Sequence, residues 1–74
     1  MPPLPKISGN TALKVFQKLG YQVIRQKGSH CIIKKDSITF PVPLHKELDT
    51  GMLKGLIRQA KLTNEEFINL YNNK

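Results

Sequence analysis

Between Tyr21 and Val42 the chain carries three β-forming segments separated by two short turns, Lys27-Gly28 and Asp36-Ser37. Tyr21–Gln26 alternates in character and holds aromatic and β-branched residues, and Ser29–Lys35 and Ile38–Val42 follow it. Strands joined by turns this short pair antiparallel, so the stretch predicts a three-stranded meander. Ile38, Phe40 and Val42 share one face of the third strand. Pro41 has no N–H to give to a ladder, which puts that strand at a sheet edge or begins its end.

The apolar period changes on both sides of this stretch. Ala12, Val15, Phe16 and Leu19 repeat at helical spacing, with Lys14 and Lys18 on the outer side. Ser8 offers an N-cap with Ile7 in the staple position before it, and Gly20 fits the position just past the helix end. Pro43–Asp49 reads as a loop holding His45 and Lys46. A second helix begins near Asp49 or Thr50, with Leu53, Leu56, Ile57 and Ala60 as its apolar stripe. Lys54, Arg58 and Lys61 fall on its other side, and Gly55 interrupts it with a poor helix former. Thr63-Asn64-Glu65-Glu66 is a capping box that opens a short third helix reaching about Tyr71, with Phe67, Ile68, Leu70 and Tyr71 as buried candidates. Strands flanked by helices predict an α+β fold with the helices on one sheet face. The other face must then be solvated or covered by something else.

The chain has 74 residues, which predicts one domain with one small core over residues 1–74, residues 1–6 forming an extended, proline-rich N-terminal segment. Leu, Ile, Val and Phe make up roughly 30% of it, above the ~20% that marks disorder. The formal net charge is +7, from 12 Lys and Arg against 5 Asp and Glu. Such an excess attracts nucleic acid or an acidic partner. The lone Cys31 excludes a disulfide framework and fits a reducing compartment. No apolar run approaches the ~18 residues of a membrane span, and the N-terminus lacks the apolar stretch of a secretory signal. A soluble, cytoplasmic protein is expected.

Gly28-Ser29-His30 is the tripeptide with chemical potential. A turn glycine lets a ligand approach the backbone. A histidine at a strand start is held by the sheet, and its ordinary pKa near ~6.5 lets it exchange a proton at neutral pH. Arg25, Lys27, Lys34 and Lys35 lie on the same hairpin. Cations beside a histidine suit RNA cleavage, where the imidazole moves the 2′-hydroxyl or leaving-group proton and the cations stabilise phosphorane charge. The plain alternative is an ordinary strand histidine held by a hydrogen bond. His45 reads as a loop histidine near a helix start, or as a phosphate contact or second proton carrier. Cys31 reads as a small core residue, since neighbours in a strand point to opposite faces. No carboxylate pair has the spacing of a metal motif, so no metal or other cofactor is expected. The basic stripe on the second helix is either a solvated face or a phosphate contact.

Several strings together resemble the HicA (YcfA-like) family. They are Gly20-Tyr21, Arg25-Gln26-Lys27-Gly28-Ser29-His30, Val42-Pro43-Leu44-His45, Gly51 with Leu53, Ile57 and Gln59-Ala60, and Leu62-Thr63-Asn64-Glu65-Glu66-Phe67. The resemblance runs from Ser8 to Leu70, with Gly55 as one departure, where a helix-favouring residue is expected. It implies a fold like the double-stranded RNA-binding domain: a helix, a three-stranded antiparallel sheet and a helix, here with a short C-terminal helix added. It implies the toxin of a type II toxin–antitoxin system, an endoribonuclease that cleaves mRNA and arrests translation. It implies a HicB-type antitoxin covering the active face. The family's catalytic histidine falls on His30, and its preceding glycine and serine on Gly28 and Ser29.

The sequence therefore predicts a metal-independent ribonuclease using His30, with Lys27, Gly28, Ser29, Lys34, Lys35, His45, Lys46, Lys54 and Arg58 as RNA contacts. The alternative is a non-catalytic RNA-binding module of the same fold, in which the second helix dominates and His30 is incidental.

Overall fold

A computed structural model describes residues 4–72 of the chain. Residues 1–3 of the expected extended segment lie outside the described residues. The elements run α1 (Gly9–Lys18), β1 (Gln22–Lys27), β2 (His30–Lys35), β3 (Ile38–Pro43), α2 (Thr50–Gln59) and α3 (Asn64–Asn72). This is the predicted α+β arrangement, a helix, a three-stranded antiparallel sheet and two further helices.

The helix ends follow their caps. The Ser8 hydroxyl accepts the Thr11 N–H at 3.1 Å, and the Asp49 carboxylate accepts the Met52 N–H at 2.7 Å, which settles the start of α2. The Thr63 hydroxyl accepts the Glu66 N–H while the Glu66 carboxylate accepts the Thr63 N–H, the reciprocal pair of a capping box. At the end of α1, Gly20 adopts φ 104°. Its N–H donates to Gln17 and that of Tyr21 donates to Phe16, so two end carbonyls are satisfied. The end of α2 repeats this with Lys61 in the glycine position at φ 62°, its N–H on Arg58 and that of Leu62 on Ile57. Lys61 therefore lies past the helix, and the expected stripe on α2 reduces to Lys54 and Arg58. The helix itself runs unbroken through Gly55.

The sheet order is β1-β2-β3. Pro41 and Pro43 lie on β3, an edge strand that extends one residue beyond the expected Val42. On β2, Cys31 and Ile33 are buried and pair with Val42 and Phe40 of β3. Ile33 packs in the core with the helices and Cys31 shares its face, so His30, Ile32 and Lys34 face the other way. β1 is exposed along its whole length. It pairs Val23 with Ile33 and Arg25 with Ile32, which leaves Ile24 as a bulge. Tyr21, expected in this strand, instead precedes it as a buried residue of the α1 end motif.

Phe16 joins the layers. Its ring centroid lies 5.9 Å from Tyr21, 5.4 Å from Phe40 on β3 and 5.6 Å from Phe67 on α3. Ala12, Val15, Leu53, Leu56 and Ile57 complete the core on that side of the sheet. Of the candidates on α3, Phe67 is fully buried, whereas Ile68, Leu70 and Tyr71 are half-buried. All three helices thus occupy one face of the sheet and leave the other open.

Candidate active site

The hairpin between β1 and β2 turns on Gly28 and Ser29, one residue later than the sequence suggests, so His30 rather than Ser29 opens β2. Gly28 has φ 60°, the left-handed value that a two-residue hairpin loop with glycine first demands. A Cβ there would meet nothing within 4 Å, so the glycine serves the turn and leaves the space above it open. His30 pairs with Lys27 on one side and Pro43 on the other. It is exposed, on the sheet face that no helix covers.

A second segment is tied to this turn. The Ser29 carbonyl accepts the Leu44 N–H at 2.7 Å, and the next residue is His45. The His45 carbonyl in turn accepts the Gly9 N–H at 2.9 Å, while the Leu48 N–H donates to Ile7 at 2.8 Å. The β3–α2 loop is therefore stitched between the hairpin turn and the start of α1. Gly9 makes the approach possible, since a Cβ there would stand 2.0 Å from the Pro43 carbonyl oxygen. Sequence reasoning missed Gly9. Its only local signal is a glycine directly after an N-cap, where a helix former would serve the helix better.

The remaining expected contacts fall in different places. Lys27, Gly28, Ser29, His45 and Lys46 are exposed on the two segments just described. Lys34 shares the His30 face but lies four residues along β2, about 13 Å away at ~3.3 Å per residue. Lys35 points to the opposite face, half-buried, with its Cε 3.7 Å from where a Cβ on Gly20 would sit. Lys54 and Arg58 are exposed on α2, which packs on the covered side of the sheet. The structure thus gathers His30 with Lys27, the turn and the His45 loop, and separates them from Lys35, Lys54 and Arg58. Cys31 is buried on the core side, as expected of a small apolar residue.

Among the described residues, no three His, Cys, Asp or Glu side chains are grouped to hold a metal ion. No helix among them is long and apolar enough to cross a membrane.

The family model described as HicA toxin of bacterial toxin–antitoxin matches residues 9–62. The chain belongs to the HicA toxin family. The matched span starts at Gly9, the close-approach glycine, and ends at Leu62, which closes α2, so it contains the hairpin turn and the β3–α2 loop bonded to it. Comparison with curated proteins and with solved structures found no match. Membership in a toxin–antitoxin family implies an antitoxin as partner to this HicA chain.

Proposed function

We propose that this HicA chain, as one domain over residues 1–74, is an endoribonuclease that cuts mRNA in the cytoplasm and arrests translation, with His30 as its proton-transfer group. The observation that carries the reading is the exposure of His30 on the bare sheet face, directly across from Lys27 and beside a turn tied to the His45 loop. In the reaction the imidazole takes the proton of the substrate's 2′-hydroxyl. The 2′-oxygen bonds to phosphorus, the P–O5′ bond breaks, and the departing 5′-oxygen takes up a proton. A 2′,3′-cyclic phosphate and a free 5′-hydroxyl result. Lys27 supplies positive charge where the phosphorane forms. His45 and Lys46, on the loop bonded to Ser29, add a second imidazole and a cation on that side. We assign the step to these side chains without a metal ion. A HicB-type antitoxin silences the toxin by covering the open face.

General acid–base groups contribute about 100- to 10,000-fold to such reactions. His30→Ala is expected to lower cleavage of a labelled RNA by that factor. Its circular dichroism and melting temperature should not change, because the side chain is exposed. A 2′-deoxy substitution at the cut should block the reaction and a chelator should not. Cleavage at the normal rate by His30→Ala would overturn the assignment and leave a binding module.

A further inference from the structure

The open sheet face has a composition of its own. Register sets Lys27 opposite His30, Arg25 opposite Ile32 and Gln22 opposite Lys34. β3 adds Pro43, Pro41 and Thr39 to the same rows. Three cations and no carboxylate stand in these rows, and every member is exposed except the half-buried Ile32 and the buried Pro43. The bulged Ile24, 54% exposed, stands beside them. At the far end Asp36, in the β2–β3 turn, lines an open cleft of about 440 Å³ with Gln22, Ile24 and Lys34. That carboxylate bounds the cationic track.

We propose that RNA is taken as a single strand lying along β2 on this face, its phosphates held by Lys27, Arg25 and Lys34. The inference rests on the reading of His30 above for where the cut falls, at the Lys27 end. A polyanion matches a surface of one sign, whereas an apolar protein interface would need more than Ile24, Ile32 and the Pro41 ring. The dimensions favour one strand. A six-residue strand spans about 20 Å, and duplex readers engage ~16 base pairs. The longest extent of the molecule is 33 Å. The cations of α2 lie on the other side of the sheet and do not join the track. The 13 Å from His30 to Lys34 corresponds to about four nucleotides at ~3.4 Å each, fewer if the strand is extended. Phe16, Tyr21, Phe40 and Phe67 are all buried and Tyr71 lies on α3 on the covered side of the sheet, so no Phe or Tyr ring stacks bases here. Affinity then comes from phosphate contacts, with steep salt dependence and little choice of sequence.

The test uses the full chain and a fluorescent 2′-O-methyl RNA, which cannot be cut through its 2′-oxygen. Binding to the single strand and to its duplex is read by anisotropy across a salt series. Arg25→Gln with Lys34→Gln should weaken single-strand binding about tenfold or more and lower the slope of log K against log salt by about 1.4, at ~0.7 per phosphate. Lys54→Gln with Arg58→Gln should leave both unchanged, and the duplex should bind more weakly than the single strand. The proposal is overturned if the α2 pair carries the loss or the duplex binds tighter. It is also overturned if the sheet pair spares RNA and only loosens a protein partner. Because the probe is not cleaved, a failure of the His30 mechanism and a failure of this binding track are told apart.

Discussion

Tyr21 shows how a single side chain bears on stability. Its ring packs edge-on against Phe16 and Phe40, and its hydroxyl is buried with no hydrogen-bond partner among the described residues. Burial, and secondarily the charge of Asp36, raises its pKa above the ordinary 10.0. Below pH 10 both folded and unfolded chains hold the phenolic proton, so the group makes no pH-dependent difference. Above it the unfolded chain ionises first and binds fewer protons, so stability falls with pH until the folded pKa is passed. Tyr21→Phe removes a buried donor without a partner and keeps the ring. It should hold or raise stability at neutral pH, by up to about 1 kcal/mol. It should also flatten the decline above pH 10. Urea midpoints of both proteins from pH 8 to 11 check this, and parallel alkaline limbs would contradict it. His30 poses the complementary case. Its strand has apolar residues on both parities, Ile32 on one and Cys31 and Ile33 on the other. Local pattern leaves its face open, and the pairing of Ile33 with Phe40 and Cys31 with Val42 decides it.

At the scale of elements, two helix glycines are expected to behave oppositely. Gly9 opens α1 against the backbone of Pro43 and Leu44, where a Cβ finds no room. Gly9→Ala must push the β3–α2 loop away from the hairpin. Overpacking of this kind costs about 1–3 kcal/mol, and here it also disturbs the bonds that join His45 to Gly9 and Leu44 to Ser29. Gly55 lies inside α2 with open space around its Cβ position. Gly55→Ala should stabilise by about 0.5–1 kcal/mol. Chemical denaturation of both variants gives the signs, and equal shifts would refute the contrast. The same pair marks what was readable in advance. Stripes such as Ala12, Val15 and Phe16, the cap at Ser8, the box at Thr63 and the edge position of Pro41 are local signals, and each element formed where they stand. The stitching of Ser29 to Leu44 and of His45 to Gly9 uses backbone groups far apart in sequence, whose one mark in residue type is the glycine after the Ser8 cap. Lys61 misled for a related reason. Its spacing fits a helical stripe, but the end motif of α2 puts it in a left-handed conformation usually taken by glycine.

The whole molecule combines a +7 charge with a sheet covered on one face only. β1 is an edge strand exposed at all six residues, with Val23 and Ile24 at 41% and 54%. Such an edge offers free backbone groups to an incoming chain. An antitoxin that covers the open face, as proposed, therefore has a place to seat beside the RNA track, and the two should compete. A partner present at 100 times its Kd stabilises a fold by about 2.7 kcal/mol. For a chain of this size each kcal/mol moves Tm by roughly 4–8 °C, so saturating antitoxin should raise it by about 10–20 °C. Hydrogen exchange should then slow at the amides of β1 and the Gly28–Ser29 turn, and the bound RNA probe should be released. The association rate should fall as salt is added, since opposite charges steer the encounter. Protection confined to α2 and α3, with β1 still exchanging freely and the RNA probe retained, would move the antitoxin to the helical layer and break the link between neutralisation and the open face.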